Sequence, residues 1–176
     1  MTALVELGGV FVDTRAGDLT LTLDADDQPA LATCAGRLGP FDIQLRLLGA
    51  SHQVVVDRPQ GRLRETLACL PGVEPALPTH WVRGDYTFSS DVRVHDEESM
   101  RMIVGHLESQ VRPTDERALG LIGSYPGRPL AVTAVRAQHD PASGVLQWDT
   151  WHSYPQSGEV VVTTSTIRER TGDTDR

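Results

Sequence analysis

The chain has 176 residues, of which 39% are apolar, 5% aromatic and 23% charged, with a formal net charge of −8. That length suits one domain with a sizeable core, and the acidic balance argues against a partner that is nucleic acid gripped by its phosphates. No apolar run approaches the ~18 residues of a membrane span, and the N-terminal MTALVELGGVFVD lacks the basic region of a secretory signal, so a cytoplasmic protein with no membrane partner is expected.

All 16 basic residues are arginine, and asparagine is absent as well as lysine. Without lysine there is no side-chain Schiff base, which removes lysine-linked pyridoxal phosphate and aldolase chemistry. The lysine-bearing phosphate loop is removed too. No other cofactor is specified. The two cysteines, Cys34 and Cys69, form no CxxC motif, so a cysteine zinc site is not expected. They read as buried thiols acting as small hydrophobes.

In chain order, Leu19 to Leu23 alternates and suggests a strand. A short helix is possible from Pro29 to Arg37, closed by Gly39-Pro40. Phe41 to Leu47 alternates apolar and polar, Gly49-Ala50 suits a tight turn, and Ser51 to Asp57 returns. The expected register sets Leu47 against His52, Leu45 against Val54 and Ile43 against Val56. Arg62 to Leu70 reads as a third strand, with a helix as its rival because Leu63, Leu67 and Leu70 also fit helical spacing.

Residues 71–79 hold three prolines and form a connection. Trp81 to His95 reads as one or two strands. Asp96 then looks like a helix N-cap, with Glu97 and Glu98 in the first turn. Met100, Ile103, Val104, Leu107 and Val111 follow helical spacing. Leu119 to Tyr125 is a short strand. Leu130 to His139, Val145 to Tyr154 and Glu159 to Arg168 form a meander. Its two turns, DPASGV and YPQSGE, each open near a proline and end on a glycine. The expected architecture is one α+β domain over residues 1–168, built from two three-stranded antiparallel meanders, extra strands and a main helix at about 96–111. A disordered tail is expected over 169–176.

The strand from Val145 to Tyr154 carries three of the chain's nine aromatic residues within WDTWHSY. The register places Trp148, Thr150, His152 and Tyr154 on one mostly apolar face, with His152 between Thr133 and Val161. Asp149 falls beside Arg136 on the other face, where a cross-strand ion pair is expected. His52 lies on the apolar face of the first meander. If the sheets face each other, His52, Trp148, His152 and Tyr154 line one ligand pocket, with Glu65 nearby. The simpler reading is that each histidine is a core residue bonded within the fold, and that the aromatics are core too. No histidines show HxH or HxxxH spacing, so no metal site is expected. Ser51 and His52 point to opposite faces and should not form a dyad.

At LGASHQVVV (Leu48 to Val56), ETLACLPG (Glu65 to Gly72) and TWHSYPQSGEVVVTTST (Thr150 to Thr166), the chain resembles the actinobacterial family known as domain of unknown function 2617. The likeness covers most of the chain, is weakest before residue 40, and carries no catalytic residue. The lysine-free composition agrees with a GC-rich actinobacterial source. The sequence therefore suggests a small-molecule-binding or accessory protein. Its rivals are a small hydrolase or lyase with His152 as general base, and a homodimer or partner adaptor joined through Glu159 to Arg168 as an edge strand.

Overall fold

The computed structural model describes residues 2–6, 12–13, 32–47, 51–59, 61–70, 79–92, 94, 96–112, 117–125, 128–154 and 157–169. Along the chain these give β1 (Thr2–Glu6), β2 (Val12–Asp13), β3 (Ala32–Leu38), β4 (Phe41–Leu47), β5 (Ser51–Arg58), β6 (Gly61–Leu70), β7 (Thr79–Arg83), β8 (Tyr86–Val92), α1 (Glu97–Val111), β9 (Ala118–Tyr125), β10 (Arg128–Asp140), β11 (Val145–Tyr154) and β12 (Glu159–Arg168). The expectations for Leu19 to Leu23 and for the Gly49-Ala50 turn lie outside the described residues.

The strands make a seven-stranded sheet, β1-β9-β10-β11-β12-β8-β7, and a five-stranded sheet, β2-β6-β5-β4-β3. Pairing is antiparallel except where β1 lies parallel to β9. Alternation is what drives the two faces apart. In β4, Phe41, Ile43, Leu45 and Leu47 are buried while Asp42 and Gln44 are exposed. These residues, with Val54 and Val56, pack against Leu121, Val135, Trp148 and Ile167 of the large sheet. That is the main core, a layer between two facing sheets. The other face of the large sheet meets α1, where Leu107 and Val111 pack on Ile122, Val132 and Ala134.

Turn chemistry sets the registers. Asp140 pairs with Val145 and Tyr154 with Glu159, and Gly144 and Gly158 take φ of 67° and 72° at the ends of those loops. The β10–β11–β12 register, Asp140 opposite Val145 and Tyr154 opposite Glu159 included, is as the sequence implies. So is β4–β5, with Leu47 opposite His52 and Ile43 opposite Val56. Arg62 to Leu70 is strand, within β6, rather than helix. The Asp96 side chain caps α1 by accepting from the Ser99 backbone N–H at 2.9 Å.

Three expectations are overturned. Residues 32–37 are strand, not helix, because Leu38 and Phe41 close a two-residue hairpin over Gly39-Pro40 that commits Ala32–Leu38 to β4. β12 is not an edge, since β8 pairs along it from Tyr86 to Val92. That removes the basis for joining two copies through Glu159 to Arg168. Asp149 and Arg136 do stand opposite each other, but they form no ion pair. Asp149 accepts from Gln147 and Thr164, and Arg136 donates to the Gln110 carbonyl at the end of α1. Local hydroxyl and amide donors reach the carboxylate at less cost than extending an arginine that already has a partner.

Candidate functional site

β11 delivers four side chains to the inter-sheet layer in one row. Trp148 is fully buried. The Thr150 hydroxyl bonds that of Thr163 across the sheet. His152 is 4% exposed and stands opposite Thr133 and Val161. Tyr154, at the strand's end, is half-buried and packs on the same core. Trp148 and His152 are four residues apart on an extended strand, so about 13 Å separates them. Trp148 and His152 are both buried, and only Tyr154 at the end of the strand is partly exposed.

His152 has its Nδ1 3.4 Å from the Thr133 hydroxyl. Burial disfavours the imidazolium and pulls the pKa down to about 4. At neutral pH this histidine is an uncharged ring with one nitrogen able to donate and one to accept. The position of His52 on β5 is set by its pairing with Leu47 and Leu67; its side chain lies outside the described residues.

The densest polar cluster in the layer centres on Glu65. This carboxyl is fully buried. It accepts from Trp148 Nε1 at 3.0 Å and from Ser165 Oγ at 2.7 Å, and it bonds the Tyr86 hydroxyl. Tyr86 stacks on Trp148 with ring centroids 5.9 Å apart, and its hydroxyl lies 3.3 Å from Ser165 Oγ. Four strands thus meet at one point: β6 from the small sheet, and β8, β11 and β12 from the large one. Burial pushes the Glu65 pKa up, against the pull of its three donors. Those donors are all neutral, which is why burial wins. Sequence reasoning set Glu65 only near the site and missed Tyr86 and Ser165 as its partners. The available signal was a glutamate at an inward position, two residues from Leu63 and two from Leu67.

The remaining described polar groups between the sheets are peripheral. Arg58, at the end of β5, forms an ion pair with Asp85 in the β7–β8 turn. His139 packs edge-on against Phe41 and bonds Glu169 at 3.1 Å. Cys34 is a buried thiol on β3.

Among the described residues no helix is long and apolar enough to cross a membrane. No curated protein and no solved structure matches the chain. The model of the family described as protein of unknown function DUF2617 matches residues 16–168, and the chain belongs to that family.

Proposed function

Membership of that family brings no chemistry with it, and we propose on the chain's own geometry that it is a cytoplasmic small-molecule-binding or accessory protein. The ligand is held between the sheets at the end marked by His52, Trp148, His152 and Tyr154. The observation that carries this reading is His152: an uncharged imidazole facing the inter-sheet layer, next in its row to a half-buried tyrosine. An aromatic wall with a few aimed polar atoms is the usual make-up of a small-molecule site.

Register supports placing His52 at the same end. Phe41 touches His139 at one end of the sandwich. Further along, the Leu45–Val54–Glu65 row meets Trp148. Two residues further along the register, Leu47 pairs with His52 and His52 with Leu67. On β11 the next inward residues are Thr150 and His152. The two histidine positions therefore share one direction away from the Glu65 cluster.

Binding is favoured over acid–base catalysis by the same residue. A base with a pKa near 4 is poorly matched to proton abstraction at neutral pH. The test is a thermal-shift screen of the full chain against a panel of small carboxylic acids, amines and aromatic metabolites. Compounds that raise the melting temperature of the wild type should fail to do so with His52→Ala and His152→Ala. Shifts that survive both substitutions mean the ligand sits elsewhere.

A further inference from the structure

We propose that Glu65 is a proton latch between the two sheets: the uncharged acid closes a hydrogen-bond ring with Tyr86 and Ser165, and its ionisation loosens the sheets around Trp148. This goes beyond the ligand reading and does not depend on it.

The geometry of the ring is the basis. Glu65 Oε2 contacts both the Tyr86 hydroxyl and Ser165 Oγ, and these two lie 3.3 Å from each other. With a proton on Oε2, three O–H groups can run head to tail, each donating once and accepting once. Glu65 Oε1 is left to accept from the Trp148 indole, which can only donate. Every polar atom is then used. Without that proton, Tyr86 and Ser165 both donate into the same oxygen, and a full negative charge stays in the core with only neutral partners. A lone buried charge of this kind is what protein interiors avoid.

Among the described residues facing Glu65 there is no opposite charge to change that balance. The described inward residues of the elements around Glu65 are Val54 and Val56 on β5, Tyr86, Phe88 and Ser90 on β8, Leu146 to Tyr154 in alternation on β11, and Glu159 to Ile167 in alternation on β12. The titratable groups among them are Tyr86, His152, Tyr154 and, at the far end of β12 opposite Tyr154, Glu159, an acid that adds no positive charge. His152 is held neutral by burial. Tyr86 is pushed up by burial and by Glu65, so it remains a phenol wherever Glu65 ionises. Arg58, a cation that bridges the sheets, is committed to Asp85 beside Tyr86. That ion pair pins the sheets at the turn and makes the Glu65 row the point that can give.

The sign follows from burial. The folded-state pKa of Glu65 lies above its ordinary value, so its stabilising share is complete below that ordinary value and is lost as pH rises through the raised one. The experiment uses the full chain from about pH 5 to about pH 9, following tryptophan emission and binding of the apolar dye 8-anilinonaphthalene-1-sulfonate. The wild type should gain dye binding and red-shifted emission in a single-proton step. Glu65→Gln, which keeps the shape but cannot ionise, should lose that step. Tyr86→Phe removes a donor that favours the ionised form, so it should move the midpoint to higher pH; a purely structural role would not. Should Glu65→Gln fail to fold, the 13C carboxyl resonance of Glu65 in the wild type serves instead and should titrate with the dye midpoint. An unchanged step in Glu65→Gln, a Tyr86→Phe midpoint that stays put or moves to lower pH, or a Glu65 resonance ionised throughout would overturn the latch.

Discussion

Trp148 of the large sheet donates its indole N–H to Glu65 of the small sheet across the inter-sheet layer, at 3.0 Å. It joins the sheets alongside the bonds of Glu65 with Tyr86 and Ser165 and the Arg58–Asp85 ion pair, in a layer that is otherwise largely apolar. Apolar packing is non-directional and tolerates sliding, whereas this bond fixes which row of β6 sits over which row of β11. With the Tyr86 and Ser165 bonds to the same carboxyl, it helps turn two stacked sheets into one register.

Removing the indole donor should show that energetically. Trp148→Phe leaves Glu65 Oε1 buried with its N–H partner gone, a loss of about 1–3 kcal/mol, in addition to the smaller ring. Trp151→Phe is the control, since Trp151 is half-buried on the opposite face of the same strand. Urea unfolding near neutral pH should give a clearly larger midpoint drop for Trp148→Phe. Equal drops would mean that the indole hydrogen bond adds nothing measurable.

His152 sets the acid side of the stability profile. Its folded pKa of about 4 lies below the ordinary 6.5, so the unfolded chain takes up this proton first. The stability it supports is complete above pH 6.5 and falls as pH drops toward 4, by up to about 3 kcal/mol. His152→Gln should flatten that limb, and His139→Gln should leave it in place. Melting curves stepped through this range check it. A limb of the same depth in His152→Gln would place the responsible proton on another group.

How much of this was legible in the sequence depends on how far apart the deciding residues lie. The β10–β11–β12 register was readable because DPASGV and YPQSGE each carry their own turn chemistry. The helix start was readable because Asp96 and Ser99 are three residues apart. β3 was misread because Ala32 to Arg37 has no strong local preference, and its partner strand decides it through the Gly39-Pro40 hairpin. The β8–β12 pairing joins Tyr86 to Ile167, and no local pattern announces a neighbour that distant. The same holds for the Glu65 cluster. Its inward direction could be read from alternation, but Ser165 lies 100 positions away. What sequence periodicity supplies is a face, and what it cannot supply is the partner met on that face.

Gly39 offers a test of how the β3–β4 hairpin is seated. Its φ is 59°, and an added Cβ would lie 2.6 Å from Nδ1 of His139. Gly39→Ala combines a left-handed backbone penalty of roughly 1–2 kcal/mol with displacement of that imidazole. It should lower the melting temperature and weaken the His139–Glu169 contact, seen as a shift in the His139 ring resonances. Unmoved resonances would show that the turn is free to lift away.

At Gly120 the end of α1 lies tight against the sheet beneath it. A Cβ there would fall inside van der Waals contact of the Val111 carbonyl oxygen and 2.8 Å from Val111 Cγ1. The obstruction is largely backbone at the end of a helix, and that helix end is also held by Arg136 donating to the Gln110 carbonyl at 3.2 Å. The helix has to shift as a whole to make room. Doing so uncovers Leu107 and Val111 from Ile122, Val132 and Ala134. Gly120→Ala should therefore cost more than about 2 kcal/mol, the level of a strained or over-packed core. Gly105 is the natural counterpart: it is exposed in the middle of α1 with nothing within 4 Å of an added Cβ. Gly105→Ala should stabilise by about 0.5–1 kcal/mol through helix propensity alone. Thermal unfolding followed by far-ultraviolet circular dichroism should move in opposite directions for the two. Two similar small shifts would show that α1 lies further from β9 than the close approach at Gly120 requires.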